Sequence, residues 1–498
     1  MGSLIASGLL LAAFLFLSGC FLPFELRMFQ QNSYRPERFW RWWVTEHRLF
    51  TAFYNLFDRT PVKIPLAWTA RVKRLTVTTV LLTLALLAGG SYALVSAGWS
   101  LPWALLVCGA ALLLISKCTL LLANCLNAPL EKAIVRWYYN DAKRKLAAHK
   151  GLIVIGVTGS YGKTSTKNYL YRILSEKYDT LTTPGNFNTT LGVVRTIREK
   201  LEPRHRVFIV EMGAKQRGDI QEICDLVHPT IGIVASVGPM HLETFGSLEN
   251  IQKTKFELIE ALPKEGLGVV NADSPGIASY TGVPTHCRIV RYGVRGGDFR
   301  AENVSYSTEG SSFEIEGTSF RTNLLGESNI LNIIAACAVA RELGVSSKQM
   351  QMAVSRLQQV EHRLFVMRRG NYTVIDDAYN SNPEGAAMAL DVLRDIAGGQ
   401  KILLTPGFVE LGEKQEEECR KLGRKAAACA DILIIVNRLN HDAILAGAME
   451  GIRDGRARLT AETIFSKDDL SQASILLSSL VRPGDVVLYE NDLPDTFK

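Results

Sequence analysis

The sequence predicts an α/β fold: a central domain of mostly parallel sheet, a second Rossmann-like domain, and transmembrane helices before both. Three observations predict it. Residues 151–177 run from an apolar strand through a glycine-rich turn into a helix, the order a P-loop requires. Beyond residue 330, helical stretches alternate with short apolar strands, at 372–375, 402–405 and 432–436. Ahead of residue 125, three stretches are long and apolar enough to cross ~30 Å of hydrocarbon. The expected division is a membrane region at 1–147, a central domain at 148–327 and a last domain at 328–498.

A chain of 498 residues suits this plan, because ordinary domains hold roughly 100–200 residues. Its net charge of +7 is unevenly spread. Residues 1–150 carry 17 Lys and Arg against 6 Asp and Glu, and the remainder carries 39 against 43. The basic excess thus belongs to the apolar front end and points to a lipid surface rather than nucleic acid. Nine cysteines stand at 20, 108, 118, 125, 224, 287, 337, 419 and 429. They form no Cys-x-x-Cys pair, so they read as free thiols and not a metal cluster.

The first apolar stretch runs from Leu4 to Leu22, the second from Thr76 to about Trp99, and the third from Leu101 to about Leu122. Ten basic residues lie between the first two: Arg27, Arg35, Arg38, Arg41, Arg48, Arg59, Lys63, Arg71, Lys73 and Arg74. Basic loops stay cytoplasmic. Met1 is therefore expected outside, the 26–75 loop inside, a tight outer turn near 98–102, and everything after 125 inside, at the inner (cytoplasmic) membrane. Lys117 is expected to snorkel from the cytoplasmic end of its helix. A competing reading takes Leu17-Ser18-Gly19-Cys20 as a lipoprotein cleavage site, but no basic residue precedes the apolar run. The run Phe39-Trp40-Arg41-Trp42-Trp43, with Phe50 and Phe53, suits an interfacial helix. The alternative is an amphipathic helix packed on the later domains.

Residues 151–157 read as a buried strand, followed by Thr158-Gly159-Ser160-Tyr161-Gly162-Lys163-Thr164-Ser165-Thr166 and a helix. Gly159 and Gly162 let backbone N–H groups approach phosphate oxygens, and the helix N-terminus adds partial positive charge. Lys163 is placed to reach the β- and γ-phosphates, and Thr164 to hold Mg²⁺. The generic P-loop carries glycine where this chain has Val157. ATP and Mg²⁺ are the expected cofactors.

These residues resemble the Mur ligases, which form amide bonds in cell-wall precursors with ATP, and most of all their D-alanyl-D-alanine-adding (MurF-like) branch. That family's loop reads T-G-x-x-G-K-T, without the extra glycine. The likeness continues through Thr183-Pro184-Gly185-Asn186-Phe187-Asn188, Glu211-Met212-Gly213-Ala214, Gly238-Pro239-Met240-His241-Leu242-Glu243 and Asp376-Asp377-Ala378-Tyr379-Asn380-Ser381-Asn382-Pro383. The resemblance implies that Thr158, Gly159, Ser160, Gly162, Lys163, Thr164 and Ser165 hold the phosphates. It implies Mg²⁺ ligation by Thr164, Glu211 and His241, and it makes Lys255 the family's carbamylated lysine, with Lys253 as the competing alignment. Asn329 and Asn332, in Gly326-Glu327-Ser328-Asn329, correspond to the adenine-side segment; Ser328 stands where the family has His. Arg363 corresponds to the arginine near the γ-phosphate, Asp377 to the ribose contact, and Tyr379 and Asn382 to neighbours of the phosphates. The catalytic set so implied is Lys163, Lys255, His241 and Arg363.

The implied reaction activates a substrate carboxylate as an acyl phosphate, releases ADP, and joins an incoming amino-acid or dipeptide amine. Two departures bear on the substrate. Membrane spans stand where soluble members carry a domain for the UDP end of the sugar nucleotide. Thr405-Pro406-Gly407-Phe408-Val409-Glu410-Leu411-Gly412 replaces an expected L-G-x-M-x-E-L-G. A cell-wall precursor is the first reading of the carboxylate substrate, with a lipid-linked form opened by the membrane anchor. Another polymer such as poly-γ-glutamate is the second reading. A non-catalytic ATP-binding regulator, or an ATPase tied to transport, is the third.

Overall fold

The computed structural model describes residues 2–46, 65–240, 242–307, 310–360, 364–378, 382–455 and 457–491. The chain divides into two compact units, Met1–Trp137 and Tyr138–Asp492.

The first unit is helical: α1 (Gly2–Gln31), α2 (Pro36–Glu46), α3 (Ala70–Ser96), α4 (Leu101–Leu114) and most of α5 (Ser116–Ala148). Two helices, α1 and α3, are long and apolar enough to cross a membrane; α4 and α5 qualify only together, across a 72° bend. The expected third span at 101–122 is therefore broken. The 14 residues of α4 reach only about 21 Å, short of the ~30 Å hydrocarbon core. At the break the Ser116 hydroxyl donates to Glu25 (2.5 Å), and Thr119 donates to the Ser116 carbonyl (2.6 Å).

Lys117 departs from its expected snorkel. It pairs with Glu25 at 3.4 Å and lies 5.0 Å over the Trp43 ring. A carboxylate within reach in an apolar setting outcompetes a distant surface. In α2, Phe39 and Trp42 are buried, with Phe39 against Phe29 of α1 at 5.1 Å, while Trp40 is exposed. The aromatic run therefore packs on α1. Phe50, Phe53, Arg48, Arg59 and Lys63 lie outside the described residues.

The second unit opens with the last turns of α5, where Tyr139, Ala142 and Leu146 pack onto the central domain, ahead of the expected boundary at 147. The elements then run β1 (Ile153–Thr158), α6 (Lys163–Leu174), β2 (Thr180–Thr182), α7 (Thr190–Lys200), β3 (Val207–Glu211), α8 (Asp219–Val227), β4 (Ile231–Val234), α9 (Leu242–Phe245), α10 (Leu248–Glu260), β5 (Leu267–Asn271), α11 (Pro275–Ala278), β6 (Arg288–Gly293) and β7 (Phe299–Arg300). The seven strands form one parallel sheet in the order β2-β3-β1-β4-β5-β6-β7. Strands β3, β4 and β5 are buried along their whole length, as a sheet covered on both faces demands. The strand order reverses beside β1, so its C-terminal end is the switch point where ligands bind in such sheets.

Beyond β7, β8 (Glu302–Ser307), β9 (Gly310–Ile315) and β10 (Thr318–Thr322) form a separate antiparallel sheet. The core continues past the expected boundary at 327. Helix α12 (Glu327–Glu342) is buried on every side from Asn329 to Ala340, and with α13 (Ser347–Ser355) it shares a core with Tyr169, Val269 and Phe313. Gly326 marks the start of a helix, not of a domain. The next core begins at Leu364.

That last domain contains β11 (Phe365–Arg369), β12 (Tyr372–Asp377), α14 (Pro383–Asp395), β13 (Lys401–Thr405), α15 (Gln415–Cys429), β14 (Ile432–Val436), α16 (His441–Arg453), β15 (Ile464–Lys467), α17 (Leu470–Leu480) and β16 (Val486–Glu490). Its sheet order is β11-β12-β16-β13-β14-β15, parallel except for the β11–β12 hairpin.

Candidate active site

The loop after β1 is built to hold its backbone open. Gly162 has φ 78°, and a Cβ there would stand 2.7 Å from the Asn332 Oδ1. A Cβ on Gly159 would meet Ser236 N and Tyr161 O at 3.0 Å. The loop is laced to the segment after β4: Ser160 N donates to Ser236 O (2.9 Å), Tyr161 N to Ser236 Oγ (2.8 Å), and Ser160 Oγ to Gly238 O (3.0 Å). Thr158 donates its hydroxyl to Met212 O at 2.9 Å. Helix α6 begins at Lys163, so its free N–H groups face the loop mouth. The Lys163 ammonium folds onto Gly159 O (2.6 Å) and Ser160 O (3.1 Å).

Glu211 ends β3 beside this loop and is nearly fully buried. Its Oε1 accepts from Thr164 Oγ1 (3.2 Å) and Asn188 Nδ2 (3.1 Å), and its Oε2 pairs with Lys167 Nζ at 3.0 Å. Lys167 also donates to Thr183 O (2.9 Å) and Gly185 O (2.6 Å). Burial alone would raise the Glu211 carboxyl. The ammoniums of Lys167 and Lys163, with hydrogen bonds from Lys167 and Asn188, outweigh burial and hold its pKa below the usual value. These donors suit Mg²⁺: a hydroxyl and an ionised carboxylate oxygen 3.2 Å apart at a phosphate loop. No cluster of three or more His, Cys, Asp or Glu forms among the described residues, so the fit rests on Thr164 and Glu211.

Lys255 and Lys253 part company on α10. Lys255 is buried, makes no hydrogen bond or ion pair among the described residues, and has its pKa brought down to about 7, chiefly by burial and then by Lys163. Lys253 is half-exposed and pairs with Glu249 at 2.7 Å.

Asn329 and Asn332 tie α12 to the loop helix. Asn329 Oδ1 accepts from Tyr169 (2.7 Å) and its amide donates to Leu325 O (2.8 Å), while Asn332 Oδ1 accepts from Thr166 (3.0 Å). Ser165 is buried lower on α6. In the last domain, Asp377 Oδ1 accepts from Leu364 N (3.0 Å), and Asn382 caps α14 by accepting from Gly385 N (2.9 Å). His241, Arg363 and Tyr379 lie outside the described residues.

Three residues that motif reading passed over belong here. Lys167, one helical turn beyond Lys163, was legible as its neighbour on the same helix face. Glu384, in the first turn of α14, approaches the loop: a Cβ on Gly238 would be 3.4 Å from both Glu384 Oε2 and Tyr161 Cε1. Burial, then the charge of Glu384, pushes the Tyr161 phenol well above its usual pKa. Only the fold reveals that approach.

A phosphate loop at a sheet switch point, a buried ionised carboxylate beside its threonine, and a second Rossmann-like domain reaching the loop define a multidomain ATP-using enzyme. The Mur ligase middle domain matches residues 157–340, and the Mur ligase glutamate ligase domain matches residues 362–489. The UDP-N-acetylmuramoyl-tripeptide–D-alanyl-D-alanine ligase of Mycobacterium bovis is 35% identical over 363 residues, spanning 68% of this chain and 70% of that enzyme. The Escherichia coli enzyme of the same name is 31% identical over 316 residues, spanning 62% and 70%. Among solved structures, MurF from Acinetobacter baumannii superposes with a TM-score of 0.65 at 27% identity, covering 72% of this chain and 77% of that one. MurF ligase from Thermotoga maritima in complex with ADP gives 0.63 at 28%, covering 72% and 80%. The chain belongs to the Mur ligase family. It is an ATP-dependent acid–amino-acid ligase of peptidoglycan precursor synthesis.

Proposed function

We propose that this ligase is anchored in the cytoplasmic membrane, faces the cytoplasm, and adds D-alanyl-D-alanine or a similar amine to a peptidoglycan precursor. The names of the relatives above support the substrate class. The carrying observation for catalysis is the buried Glu211, held ionised against Thr164 at the mouth of the phosphate loop. The two long apolar helices and the basic segments at their expected cytoplasmic ends support the anchor.

In this reading the precursor carboxylate attacks the γ-phosphorus of ATP. The bond to the β–γ bridging oxygen breaks, ADP leaves, and an acyl phosphate forms. The amine then attacks the acyl carbon, phosphate departs, and the ammonium proton is lost. Backbone N–H groups of residues 159–164 and the Lys163 ammonium, turned from its loop carbonyls, hold the β- and γ-phosphates. Thr164 and Glu211 would hold Mg²⁺, with His241, and Mg²⁺ supplies positive charge to the transferring phosphoryl group. Arg363 adds a further cation there. Lys255, buried and with its amine about half neutral at pH 7, is suited to capture CO₂ as a carbamate. Asp377 takes the ribose, and Tyr379 and Asn382 flank the phosphates. Asn332 keeps its amide N–H₂ for the adenine side, whereas both ends of the Asn329 amide are bonded within the fold.

The test is to incubate the full-length protein with ATP and UDP-linked tripeptide or its lipid-linked form, adding D-alanyl-D-alanine. ADP release is followed and the product weighed by mass spectrometry. A product heavier by the dipeptide less water is expected, and Lys163→Ala should abolish it. Unchanged turnover in that variant overturns the site.

A further inference from the structure

Glu25 is an acid inside the apolar helices of the first unit and takes no part in the ligase site. It lines a cavity of about 180 Å³ between α1, α3, α4 and the first turn of α5. The walls are apolar, formed by side chains such as Phe14, Leu84 and Leu112. The volume somewhat exceeds the ~150 Å³ that holds a benzene-sized solute.

The polar groups of this cavity are incompletely used. Glu25 is 3% exposed. Its Oε1 receives the Ser116 hydroxyl (2.5 Å) and lies 3.4 Å from the Lys117 ammonium, while its Oε2 accepts no hydrogen bond among the described residues. Thr79, in the cavity wall, donates to the Leu75 carbonyl four residues back in its helix. Ser18 and Thr83, which also line the cavity, make no such bond. Thr83 lies nine residues beyond Arg74, about 13 Å along the helix axis, so at this depth hydrocarbon offers these groups nothing. A carboxylate oxygen without a hydrogen bond in an apolar setting is costly, and an ionisable residue within membrane helices marks a functional site by default. The break between α4 and α5 borders the same cavity, and interrupted helices inside membranes line ligand or water cavities.

We propose that the cavity binds the hydroxyl end of a long-chain amphiphile, an alkyl or prenyl alcohol. The hydroxyl donates to Glu25 Oε2 and accepts from Thr83 or Ser18. The first several carbons fill the cavity, and the rest of the chain runs into the bilayer. A neutral head is required, because Lys117 already balances Glu25. An ammonium would leave net charge in an apolar space, and a phosphate would face the carboxylate oxygen.

This inference rests on the membrane placement proposed above. The full-length protein is reconstituted in phosphatidylcholine vesicles and irradiated with a diazirine-bearing long-chain alcohol, and the labelled peptides are mapped. Label is expected on residues 14–25, 79–84 or 112–119. Hexadecanol and geranylgeraniol should compete, and their relative strength separates an alkyl from a prenyl source. Hexadecane and geranylgeranyl phosphate should not compete. Gly19 lines the cavity and a Cβ there meets nothing within 4 Å, so Gly19→Trp can fill the space. That variant should lose labelling about tenfold, and Thr83→Val about threefold, the worth of one hydrogen bond. Both should keep ligase turnover. Wild-type labelling in Gly19→Trp, or equal competition by hexadecane or by the phosphate, overturns the site. So does an absence of protected label, which would mean that water fills the cavity. Flotation with the vesicles reads the membrane placement separately: protein that floats without protected label overturns the site alone, and protein that does not float overturns both.

Discussion

Lys167→Met isolates the interaction that holds the metal-side carboxylate. Both side chains of the Lys167–Glu211 pair are 1% exposed. Removing one partner of such a pair costs about 3–5 kcal/mol, because the other charge stays buried. Thr183 O and Gly185 O lose their donor as well. At about 2–4 °C per kcal/mol for a domain of 150–250 residues, the melting temperature should fall by roughly 6–20 °C. The penalty should also depend on pH. In the parent, Glu211 is depressed below its ordinary 4.5. It therefore contributes stability that is present above that value and lost as pH falls through the folded pKa. Without Lys167, burial dominates and the folded pKa rises. The carboxyl then costs stability as pH climbs, so the deficit is largest at pH 7 and shrinks as pH falls through 4.5 towards the parent's depressed folded pKa. Scanning calorimetry of the full-length protein across that range checks this, with Lys167→Met/Glu211→Gln expected to recover most of the loss. A pH-independent deficit, or one unrelieved by the double variant, would refute the reasoning.

Three further outcomes follow from the same geometry. Gly162→Ala combines a left-handed backbone with a clash at Asn332 Oδ1, and should cost about 1–3 kcal/mol and weaken ATP binding measured by calorimetry. With isotope-labelled bicarbonate, carbamate on Lys255 should rise as pH passes about 7, where the neutral amine becomes dominant. The signal should vanish in Lys255→Arg and persist in Lys253→Arg, and the reverse pattern would exchange the two lysines. Glu490 is fully buried, accepts from Thr405 at 2.8 Å, and is pushed well above the usual carboxyl pKa by burial and then by Asp377. A raised acid contributes stability that is fully present below its unfolded pKa and lost as pH rises through the folded one. Glu490→Gln should therefore be more stable than the parent at pH 8 and indistinguishable near pH 4, read from melting temperatures.

Motif spacing carried a good part of this molecule. The run from β1 through Gly159 and Gly162 to Lys163 is local: a strand, a turn only glycine can make, and a helix N-terminus follow one another within about twenty residues. Glu211 was named through the resemblance of Glu211-Met212-Gly213-Ala214, and the parallel pairing of β3 with β1 brings it beside the loop. Other elements were not legible. Lys253 and Lys255 stand on the same helix, and only the packing of α10 shows which one is buried. The boundary expected at 327/328 falls at the start of α12, a helix buried in the central core on all sides.

The third membrane stretch shows the limit most clearly. Its apolar composition suggested one straight helix, because hydropathy averages over a window and ignores geometry. The bend at residue 115, the Glu25–Lys117 pair and the cavity beside them arise from contacts between residues 91 and 92 positions apart. By itself, then, the sequence determined the phosphate loop, the order of the later elements and the presence of the first two apolar helices, because each depends on neighbours in the chain. The tertiary structure decided which lysine is buried, where one core ends and the next begins, and where a membrane-length stretch breaks. Those outcomes depend on burial and pairing between residues far apart in sequence, and no local pattern encodes them.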